Sequence, residues 1–297
     1  MTEARIAIIG GSGLYEMDAL TNVREVEIDT PFGNPSDAVI LGDLEGMQVA
    51  FLARHGRGHR INPTRLPVRA NIYALKTLGV EWIISVSSVG SLKEALKPLD
   101  FVVPDQLIDR TRQRASTFFD DGLVAHIAFA DPFCPVLSGL LYKSAQQTCT
   151  ERSRSGADVG SIHRSGTYVV MEGPAFSTKA ESALYRSWDA DIIGMTALPE
   201  AKLAREAEIC YATLACVTDY DCWHETAESV TVEVVVANLM KNVSTAKEAL
   251  RGVLPNIPIE RSCSCASALR DAIITSRDRI PQELKEKMQP ITGKYLI

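Results

Sequence analysis

Three features common in other protein classes are missing from this 297-residue sequence: a membrane span, a signal peptide and a net positive charge. No apolar run approaches the roughly 18 residues of a membrane span, and the first residues lack the basic, apolar and small-residue order of a signal peptide. Net positive charge is also missing, since 31 Lys and Arg stand against 37 Asp and Glu, whereas general binders of nucleic acid or membrane surfaces present a basic face. We therefore expect a cytoplasmic protein that binds neither nucleic acid nor membrane.

Cysteine motifs typical of metal sites are missing too. The seven cysteines are an odd number scattered through the chain, with no C-x-x-C pair and no histidine cluster, so no metal site is expected. We expect most of them to be reduced core residues. Cys263 and Cys265 either close a strained redox disulfide or lie as a plain pair on the surface, and local sequence favours the surface pair.

The sequence has enough apolar residues, 46%, for an ample core. Strands alternate with helices almost throughout and no internal repeat is visible, a pattern typical of one α/β domain. We predict this domain over residues 1-255. Residues 256-297 are less regular, and we expect a C-terminal extension that is helical and packs on the same domain, with a short helix over residues 264-275. Composition predicts a surface excursion over residues 109-121 and a loop over residues 151-165, and Thr178 to Glu181 has the spacing of a capping box that opens a helix.

Glycines follow the first predicted strand, Arg5 to Ile9. The segment Gly10 to Gly13 allows close backbone approach to an anion, and Ser12 adds a hydroxyl donor. The match to dinucleotide-binding and P-loop motifs is incomplete. The segment predicts either a phosphate cradle or a tight turn without a ligand.

Arginine and histidine crowd the end of another predicted strand, residues 47-52. Arg54 presents a planar fork that matches two phosphate oxygens, and His55 can donate to a third. These two residues predict a local anion site, the alternative being a solvated loop. We place Arg57, His59 and Arg60 on its rim.

Hydroxyl groups occur at two further places. Ser87 and Ser88 follow the predicted strand 82-86 in a loop of small residues, which suits an anion or no ligand equally well. Thr196 precedes a predicted helix with Pro199 and Glu200 in its first turn, and helix N-termini attract phosphate. Thr196 is therefore either a phosphate ligand or a simple N-cap.

Two aspartates predict a second part of the site, apart from the anion-binding residues. Asp219 and Asp221 follow the apolar strand 209-217, and in extended backbone two such side chains point the same way and can address one flat ligand. The alternative is a pair of turn or cap residues.

Phe176 is either a ring that stacks on a ligand or a core residue, and the residue alone favours the core. A helical stripe, typical of a core face first and of a pocket second, contains Val232, Val235, Val236, Leu239 and Val243.

Six motifs occur in order along the chain: Ile9 to Tyr15, Arg54 to Gly56, Gly90 to Leu92, Asp105 to Thr111, Met171 to Ser177, and Thr218 to Trp223. Together they resemble the motifs of the trimeric purine nucleoside phosphorylases, and within that family those of the members that act on 5′-methylthioadenosine. The resemblance covers roughly residues 5-250.

The resemblance implies a nucleoside-phosphorylase α/β fold, with a mixed central sheet flanked by helices, and a homotrimer with active sites near the subunit interfaces. It implies reversible phosphorolysis of 5′-methylthioadenosine to adenine and 5-methylthioribose 1-phosphate, a step of methionine and purine salvage. Inorganic phosphate is then a co-substrate, and no cofactor is expected.

The resemblance also implies roles for individual residues. The phosphate site falls on Ser12, Arg54, His55, Ser87, Ser88 (through its backbone amide) and Thr196. The nucleoside site falls on Met195 at the ribose, Phe176 beside the base, and Asp219 and Asp221 on the purine. Positions that tune substrate choice fall on Ser177 and Val232.

These roles predict a mechanism. Bound phosphate approaches the anomeric carbon as the bond to adenine lengthens, and Asp219, with a pKa raised by burial, gives a proton to the leaving purine. An aspartate pair favours a 6-aminopurine, because an ionised carboxylate cannot donate to a 6-carbonyl. The apolar wall expected around a methylthio group consists of Val232, Val235 and Val236.

Three other functions stay open. The enzyme could act on adenosine or on 6-oxopurine nucleosides such as inosine and guanosine. It could be a nucleosidase that uses water, although Arg54 and His55 argue against this because a hydrolase has no use for a dianion site. It could also be a non-catalytic protein that binds a nucleoside or phosphate.

Overall fold

The computed structural model describes residues 2-11, 14, 17, 19-120, 122-224 and 232-296, and at positions 232 and 234 only the backbone. Within these residues eleven strands form one sheet. They are β1 (Ile6–Gly10), β2 (Thr21–Val26), β3 (Val39–Leu44), β4 (Met47–Ala53), β5 (Trp82–Ser91), β6 (Phe101–Val103), β7 (Gln106–Arg110), β8 (Ile162–Arg164), β9 (Thr167–Met171), β10 (Ile192–Gly194) and β11 (Cys210–Asp219).

Seven α-helices are found in the same residues. They are α1 (Val68–Thr77), α2 (Pro135–Arg154), α3 (Lys179–Ser187), α4 (Glu200–Glu206), α5 (Val232–Val253), α6 (Gln282–Lys287) and α7 (Gln289–Thr292). The predicted capping box opens α3, where Thr178 and Glu181 bond reciprocally. None of the described helices combines the length and apolarity needed to cross a membrane.

The two faces of the sheet carry separate cores because side chains alternate along each strand. On β1, Ala7 and Ile9 face a core shared with α1 and α4, whereas Ile6 and Ile8 face a core shared with α2 and α5. Strands pair both in parallel and antiparallel. The predictions of a mixed central sheet, of flanking helices and of a single α/β domain are confirmed.

The sheet branches at β5. On one edge of β5, β11 pairs in parallel from Trp82 to Gly90. On the other edge, β1 pairs only as far as Ser85, and β10 pairs antiparallel at Gly90 and Ser91. Residues 86-89 therefore have no strand partner on that edge within the described sheet. Backbone groups in this stretch, the β5 gap, can serve a side chain or a ligand.

Several boundaries differ from the sequence predictions. The strand predicted at 82-86 continues to Ser91, so Ser87 and Ser88 lie inside a strand and not in a loop. The predicted loop 151-165 contains the end of α2 and all of β8. The edge strand β2 was missed because it is exposed along almost its whole length and so lacks an alternating pattern. The polar stretch 109-121 is not entirely surface, since the side chain of Arg114 is 3% exposed.

The C-x-C segment is packed into the protein. Cys265 is 1% exposed, so the prediction of a surface pair is wrong. Cys263 is half-buried, and neither sulfur is in a disulfide. Both instead lie close to Cys134, which precedes α2, and to Cys210, the first residue of β11.

The C-terminal residues contact the rest of the chain at several points. Tyr295 Oη donates to Glu208 Oε1 over 2.6 Å, and Leu269 N donates to the same atom over 3.0 Å. Tyr73 Oη donates to the Lys287 carbonyl over 2.8 Å. The helix predicted over residues 264-275 is only a short 3-10 helix, Ser264–Ser267. A separate extension that begins at residue 256 stays a prediction.

Candidate functional site

Arg54 reaches the β5 gap from the end of β4. Its Nη1 donates to the Val86 carbonyl over 2.9 Å, and its Nη2 donates to Ser85 Oγ over 2.7 Å. Along a strand, the N–H and C=O of residues i and i+2 point to the same edge. The Ser88 N–H therefore points to the same edge as the Val86 carbonyl. A guanidinium and a main-chain donor thus occur together in the gap.

The charge of Arg54 is balanced inside the protein. The residue is 2% exposed; Nε donates to Glu200 Oε1 over 2.5 Å and Nη2 to Oε2 over 3.2 Å. Burial acts to lower the pKa of Arg54, but the Glu200 carboxylate outweighs it and raises that pKa. Of the five guanidinium N–H groups, one on Nη1 has no acceptor among the described residues, which leaves a donor for a ligand.

The neighbouring arginines are paired outside the gap. Arg57 forms ion pairs with Glu25 and Asp37, and Arg60 donates to the Ser36 carbonyl. Both arginines are exposed, in agreement with a rim position. The loop therefore offers an anion less free positive charge than its sequence suggests, because carboxylates from other parts of the chain neutralise it.

His55 is buried and neutral next to Arg54. Its Nδ1 lies 2.8 Å from the Ile61 carbonyl, and its ring stacks on His59 with centroids 4.1 Å apart. Burial, reinforced by the charge of Arg54, lowers the pKa of His55 to about 4. Since a carbonyl only accepts, Nδ1 carries the hydrogen, and Nε2 of the neutral ring is an acceptor. Donation from His55 to phosphate, as predicted, therefore requires the ring to gain a second proton.

Hydroxyl groups from three strands or strand ends meet beside the gap. Thr196 Oγ1 donates to Ser87 Oγ over 2.7 Å and lies 3.1 Å from Tyr168 Oη. The N-cap of α4 is Pro199, without a side-chain cap, so the alternative that Thr196 is an N-cap is wrong. The hydroxyl instead belongs to the same polar cluster as Ser87. Ser12 lies outside the described residues.

Asp219 and Asp221 do not project from extended backbone. Asp219 is the last residue of β11, but Asp221 has a φ of 51°, and its N–H donates to Asp219 Oδ1 over 2.8 Å. The chain turns back on itself between them. The prediction that the two side chains point the same way from one extended segment is wrong, because the turn hydrogen bond replaces the strand geometry.

Burial raises the pKa of both carboxyl groups. For Asp219 the charge of Asp221 adds to this effect, whereas hydrogen bonds from Thr218 Oγ1, 2.7 Å away, and from the Asp221 N–H oppose it. For Asp221 the nearby hydroxyls of Ser182 and Ser177 oppose it. Ser182 Oγ approaches without the geometry of a hydrogen bond and has no other partner among the described residues. A carboxyl group of raised pKa can hold a proton that it later transfers.

β5 brings the two ends of the candidate site together. Ser87, in the hydroxyl cluster, and Gly90 lie three residues apart on this strand, or about 10 Å at strand spacing. A Cβ added to Gly90 would lie 2.8 Å from Asp219 Oδ1, so glycine lets the carboxylate lie against the strand. The distance between the hydroxyl cluster and the buried aspartates is therefore one that a single small ligand can span.

The predicted nucleoside residues lie around these two ends. Met195 follows β10 directly before Thr196, and its side chain packs on Gly173, where a Cβ would lie 2.5 Å from the Met195 sulfur. Phe176 is 47% exposed, so the core interpretation of this ring is wrong. Ser177 is buried, and its carbonyl accepts from the Cys222 thiol over 3.3 Å.

The valine stripe of α5 is not a continuous core face. Val236 is 48% exposed and Val235 is half-buried, whereas Val243, further along the helix, is buried. Only the C-terminal part of the stripe is therefore core. The side chain of Val232 lies outside the described residues.

Two asparagines on α5 were missed by sequence reasoning. Asn238 Nδ2 donates to the Thr218 carbonyl over 2.7 Å, and Asn242 Nδ2 donates to the Val217 carbonyl over 3.2 Å. They fix the end of β11 from which Asp219 projects. The signal in the sequence was their i, i+4 spacing, which puts both amides on one face of a helix.

Arg114 was also missed. Its guanidinium donates to the carbonyls of Met195 and Leu198, and to those of Met171 and Glu172. It thereby joins the segment after β9 to the segment after β10. The sequence showed it as one of several arginines in a polar stretch, and nothing local marked it as buried.

The chain is similar to known proteins over almost its whole length. A family model described as the phosphorylase superfamily matches residues 5-255. An S-methyl-5′-thioadenosine phosphorylase from Thermosynechococcus vestitus is 58% identical over 297 residues, covering 99% of each chain. One from Geobacter sulfurreducens is 55% identical and covers 99% of this chain and all of its own.

Solved structures are similar as well. A methylthioadenosine phosphorylase sourced from an antarctic soil metagenomic library superposes with a TM-score of 0.91 at 52% identity, covering 98% of this chain and 99% of its own. A methylthioadenosine phosphorylase from Schistosoma mansoni in complex with adenine has a TM-score of 0.80 at 34% identity, with coverage of 90% and 96%.

Proposed function

Because this chain belongs to the phosphorylase superfamily, we propose that it catalyses the reversible phosphorolysis of 5′-methylthioadenosine to adenine and 5-methylthioribose 1-phosphate. The reaction makes it a pentosyltransferase of nucleoside salvage. Relatives that are S-methyl-5′-thioadenosine phosphorylases match it over 92% to 100% of their length at 49% to 58% identity. The fold is that of the nucleoside phosphorylases.

One observation carries the assignment of the site. A strand of the central sheet has donors for an anion at one position and, about 10 Å along, a buried aspartate at its edge. A nucleoside that lies across β5 would put its glycosidic bond between these groups. Neither end alone indicates this reaction.

The phosphate end supplies positioning and charge. In the proposed mode, phosphate occupies the β5 gap, where it contacts the free Nη1 hydrogen of Arg54, the Ser88 N–H and the hydroxyls of Ser87 and Thr196. By sequence we assign Ser12 to this set as a further hydroxyl, and His55 joins it as a donor once its ring gains a second proton. Fixed donors orient the phosphate oxygen towards the anomeric carbon, and the phosphate charge stabilises the cation-like sugar as the bond to adenine lengthens.

The purine end supplies a proton. Negative charge grows on the leaving adenine, and Asp219, which holds a proton more readily than a solvated aspartate does, donates it to a nitrogen of the five-membered ring. Asp221 accepts from the exocyclic amine, and Phe176 lies beside the base. This pair of acceptors favours a 6-aminopurine over a 6-oxopurine.

The sugar and its 5′ substituent lie between Met195 and the start of α5. We assign Val235, Val236 and, by sequence alone, Val232 to the wall next to the 5′ position, and Ser177 follows Phe176 in the chain. An apolar wall accepts a methylthio group and leaves a 5′-hydroxyl without a partner. The wall therefore favours methylthioadenosine over adenosine.

We also propose a homotrimer in which the neighbouring subunit covers this region. Support comes from the large apolar side chains exposed beside the site, Phe176, Val236 and Met240, since such exposure is typical of a contact surface. Analytical ultracentrifugation tests this proposal, and a monomer at micromolar concentration would refute it.

The reaction is tested by measuring adenine release with and without phosphate. A phosphorylase requires phosphate and forms 5-methylthioribose 1-phosphate in equal amount, whereas undiminished release in phosphate-free buffer would identify a nucleosidase. Comparison of kcat/KM for methylthioadenosine, adenosine, inosine and guanosine then ranks the substrates. We expect methylthioadenosine first and the 6-oxopurine nucleosides last.

A further inference from the structure

Four cysteines from distant parts of the chain meet on the other side of the molecule from Asp219. The sulfur atoms of Cys134, Cys210, Cys263 and Cys265 all lie within 4.8 Å of one another. Cys134 precedes α2, Cys210 begins β11, and the last two flank the start of a 3-10 helix. No motif in the sequence predicts this, because the four positions are brought together only by the fold.

The cluster is buried and made of thiols alone. Cys134 and Cys210 are 0% exposed and Cys265 is 1% exposed, while Cys263 is half-buried. All four belong to the core between the sheet, α2 and α5. The sulfur atoms of Cys210 and Cys263 are 3.3 Å apart. Four thiols that face one another in an apolar core form only weak hydrogen bonds, since a thiol is a weak donor and a weak acceptor.

The sulfur positions have the size of a mononuclear metal site. Any four points within 4.8 Å of one another fit on or inside a sphere of radius about 2.9 Å, and zinc–thiolate bonds are about 2.3 Å long. A central ion would therefore require a sulfur on that sphere to move inward by about 0.6 Å, and it would require the sulfurs of Cys210 and Cys263, 3.3 Å apart, to separate to about 3.8 Å. The space is too small for a cluster of several metal ions with bridging sulfides.

We propose that these four cysteines bind one zinc ion in a closed, structural site. Four thiolates are the ligand set that zinc takes in such sites, and the soft sulfur donors exclude magnesium and calcium. Binding releases four protons, one from each S–H group, as the four Zn–S bonds form. Zinc is not reduced or oxidised, so the step needs no other reactant.

The surroundings suit the double negative charge of a zinc tetrathiolate. Cys134 is the N-cap residue of α2, a 20-residue helix, and the N-terminus of a helix favours a thiolate. Arg205 interacts electrostatically with Cys265. Its guanidinium donates to the carbonyls of Ala128 and Asp131 and forms no ion pair with a carboxylate in the described part of the chain, so its positive charge is available to the site.

The site would join three segments that are otherwise far apart in the sequence. β11 has Cys210 at one end and Asp219 at the other, so the cluster lies about 30 Å along the strand from the proposed catalytic residue. The zinc would not contact substrate. It would fix the C-terminal residues to the N-terminal ends of α2 and β11, and the half-buried Cys263 provides its route of entry.

The test is metal analysis of the whole purified chain together with Cys263→Ser, and with Cys149→Ser as the matched control. Cys149 is a buried cysteine of α2 outside the cluster. We expect about one zinc per chain in the wild type and in Cys149→Ser, and a zinc affinity at least about tenfold weaker in Cys263→Ser. Added Co²⁺ should give the visible absorption of a tetrahedral thiolate complex in the wild type and in Cys149→Ser, and it should not do so in Cys263→Ser.

Thermal unfolding gives a second readout that does not depend on activity. A strong chelator should lower the Tm of the wild type and of Cys149→Ser, and it should leave the Tm of Cys263→Ser unchanged. A wild-type chain that is metal-free after zinc is supplied would overturn the proposal. Mass spectrometry without reductant would then distinguish four free thiols from disulfides among the same cysteines, and either result counts against the zinc site.

Discussion

Arg54 Nε donates to Glu200 Oε1 over 2.5 Å in the interior of the protein, where both side chains are at most 4% exposed. This ion pair joins the end of β4 to the first residue of α4. It also orients the guanidinium so that Nη1 faces the β5 gap. The carboxylate therefore positions the cation that we assign to phosphate binding, and it neutralises that cation while no phosphate is bound.

Glu200→Gln should destabilise the protein by about 3-5 kcal/mol, because removal of one partner leaves an uncompensated buried charge. Urea denaturation measures the free energy of unfolding. Tyr211→Phe is the matched control, since it removes a hydrogen bond to the Glu200 carboxylate but leaves both charges of the ion pair in place, and it should lose about 1.5-3 kcal/mol. Phosphate should restore more stability to Glu200→Gln than to the control. Equal losses of stability in the two variants would show that Glu200 is not needed to neutralise the buried charge of Arg54.

Asp219→Asn should lower kcat by roughly 10²–10⁴-fold, the contribution typical of a general acid. Its stability at neutral pH should not fall, because the variant removes a carboxylate whose ionisation burial disfavours, and an amide oxygen can still accept from the Asp221 N–H. Steady-state kinetics and thermal unfolding check the two parts separately. Asp189→Asn, at an exposed carboxylate, should leave kcat unchanged. Full activity of Asp219→Asn would remove this residue from the mechanism.

His55 should make stability depend on pH in a defined window. Its pKa is about 4 in the folded protein and about 6.5 in the unfolded chain. Between these values the unfolded state binds the proton and the folded state does not, so stability falls as the pH falls from 6.5 to 4. Comparison of the wild type with His55→Gln across this range should reveal an additional loss of about 3 kcal/mol in the wild type. Parallel curves for the two proteins would contradict the assignment of a buried neutral ring.

Asn238→Ala should reduce kcat moderately, by roughly tenfold, because the Thr218 carbonyl loses its donor and Asp219 loses a fixed position. The loss of stability should be about 1 kcal/mol. Since Asn238 acts through Asp219, its effect on kcat should disappear in the background of Asp219→Asn, which a double-mutant cycle measures. Asn256→Ala removes a similar amide-to-carbonyl bond, to Gly252, and should not change kcat. Additive effects of Asn238→Ala and Asp219→Asn would exclude the positioning role.

Val236→Ser should shift substrate preference from methylthioadenosine towards adenosine. The hydroxyl offers a partner to the 5′-hydroxyl of adenosine and removes apolar contact from the methylthio group, so the ratio of the two kcat/KM values should change by about 10-fold or more. Met240→Ser, one turn further along α5 and also exposed, is the control. An unchanged ratio in Val236→Ser would place the wall of the 5′ position elsewhere.

Local sequence was enough to locate most elements. The strands at Ile6–Gly10 and Cys210–Asp219 were predictable because each is a short run of apolar residues buried on both faces. The capping box of α3 was predictable because Thr178 and Glu181 have the required spacing. The edge strand β2 was not, since an exposed strand has no face that must be apolar.

The chemistry of single residues was predictable only in part. The sequence identified Arg54, Thr196 and Asp219 as polar groups near strand ends, because a polar side chain next to a buried strand is conspicuous. It could not show that Glu200 balances Arg54, that His55 bonds the Ile61 carbonyl, or that Asp221 turns back on Asp219. These contacts depend on segments up to 146 residues apart in the chain.

The sequence by itself determined the kind of protein: an acidic α/β chain whose local patterns of apolar and polar residues specify the strands, the helices and the groups available for chemistry. The tertiary structure alone decided which of those groups meet. Periodicity is a property of neighbouring residues, whereas the pairing of Arg54 with Glu200 and the convergence of four cysteines depend on how distant elements pack against β5 and β11.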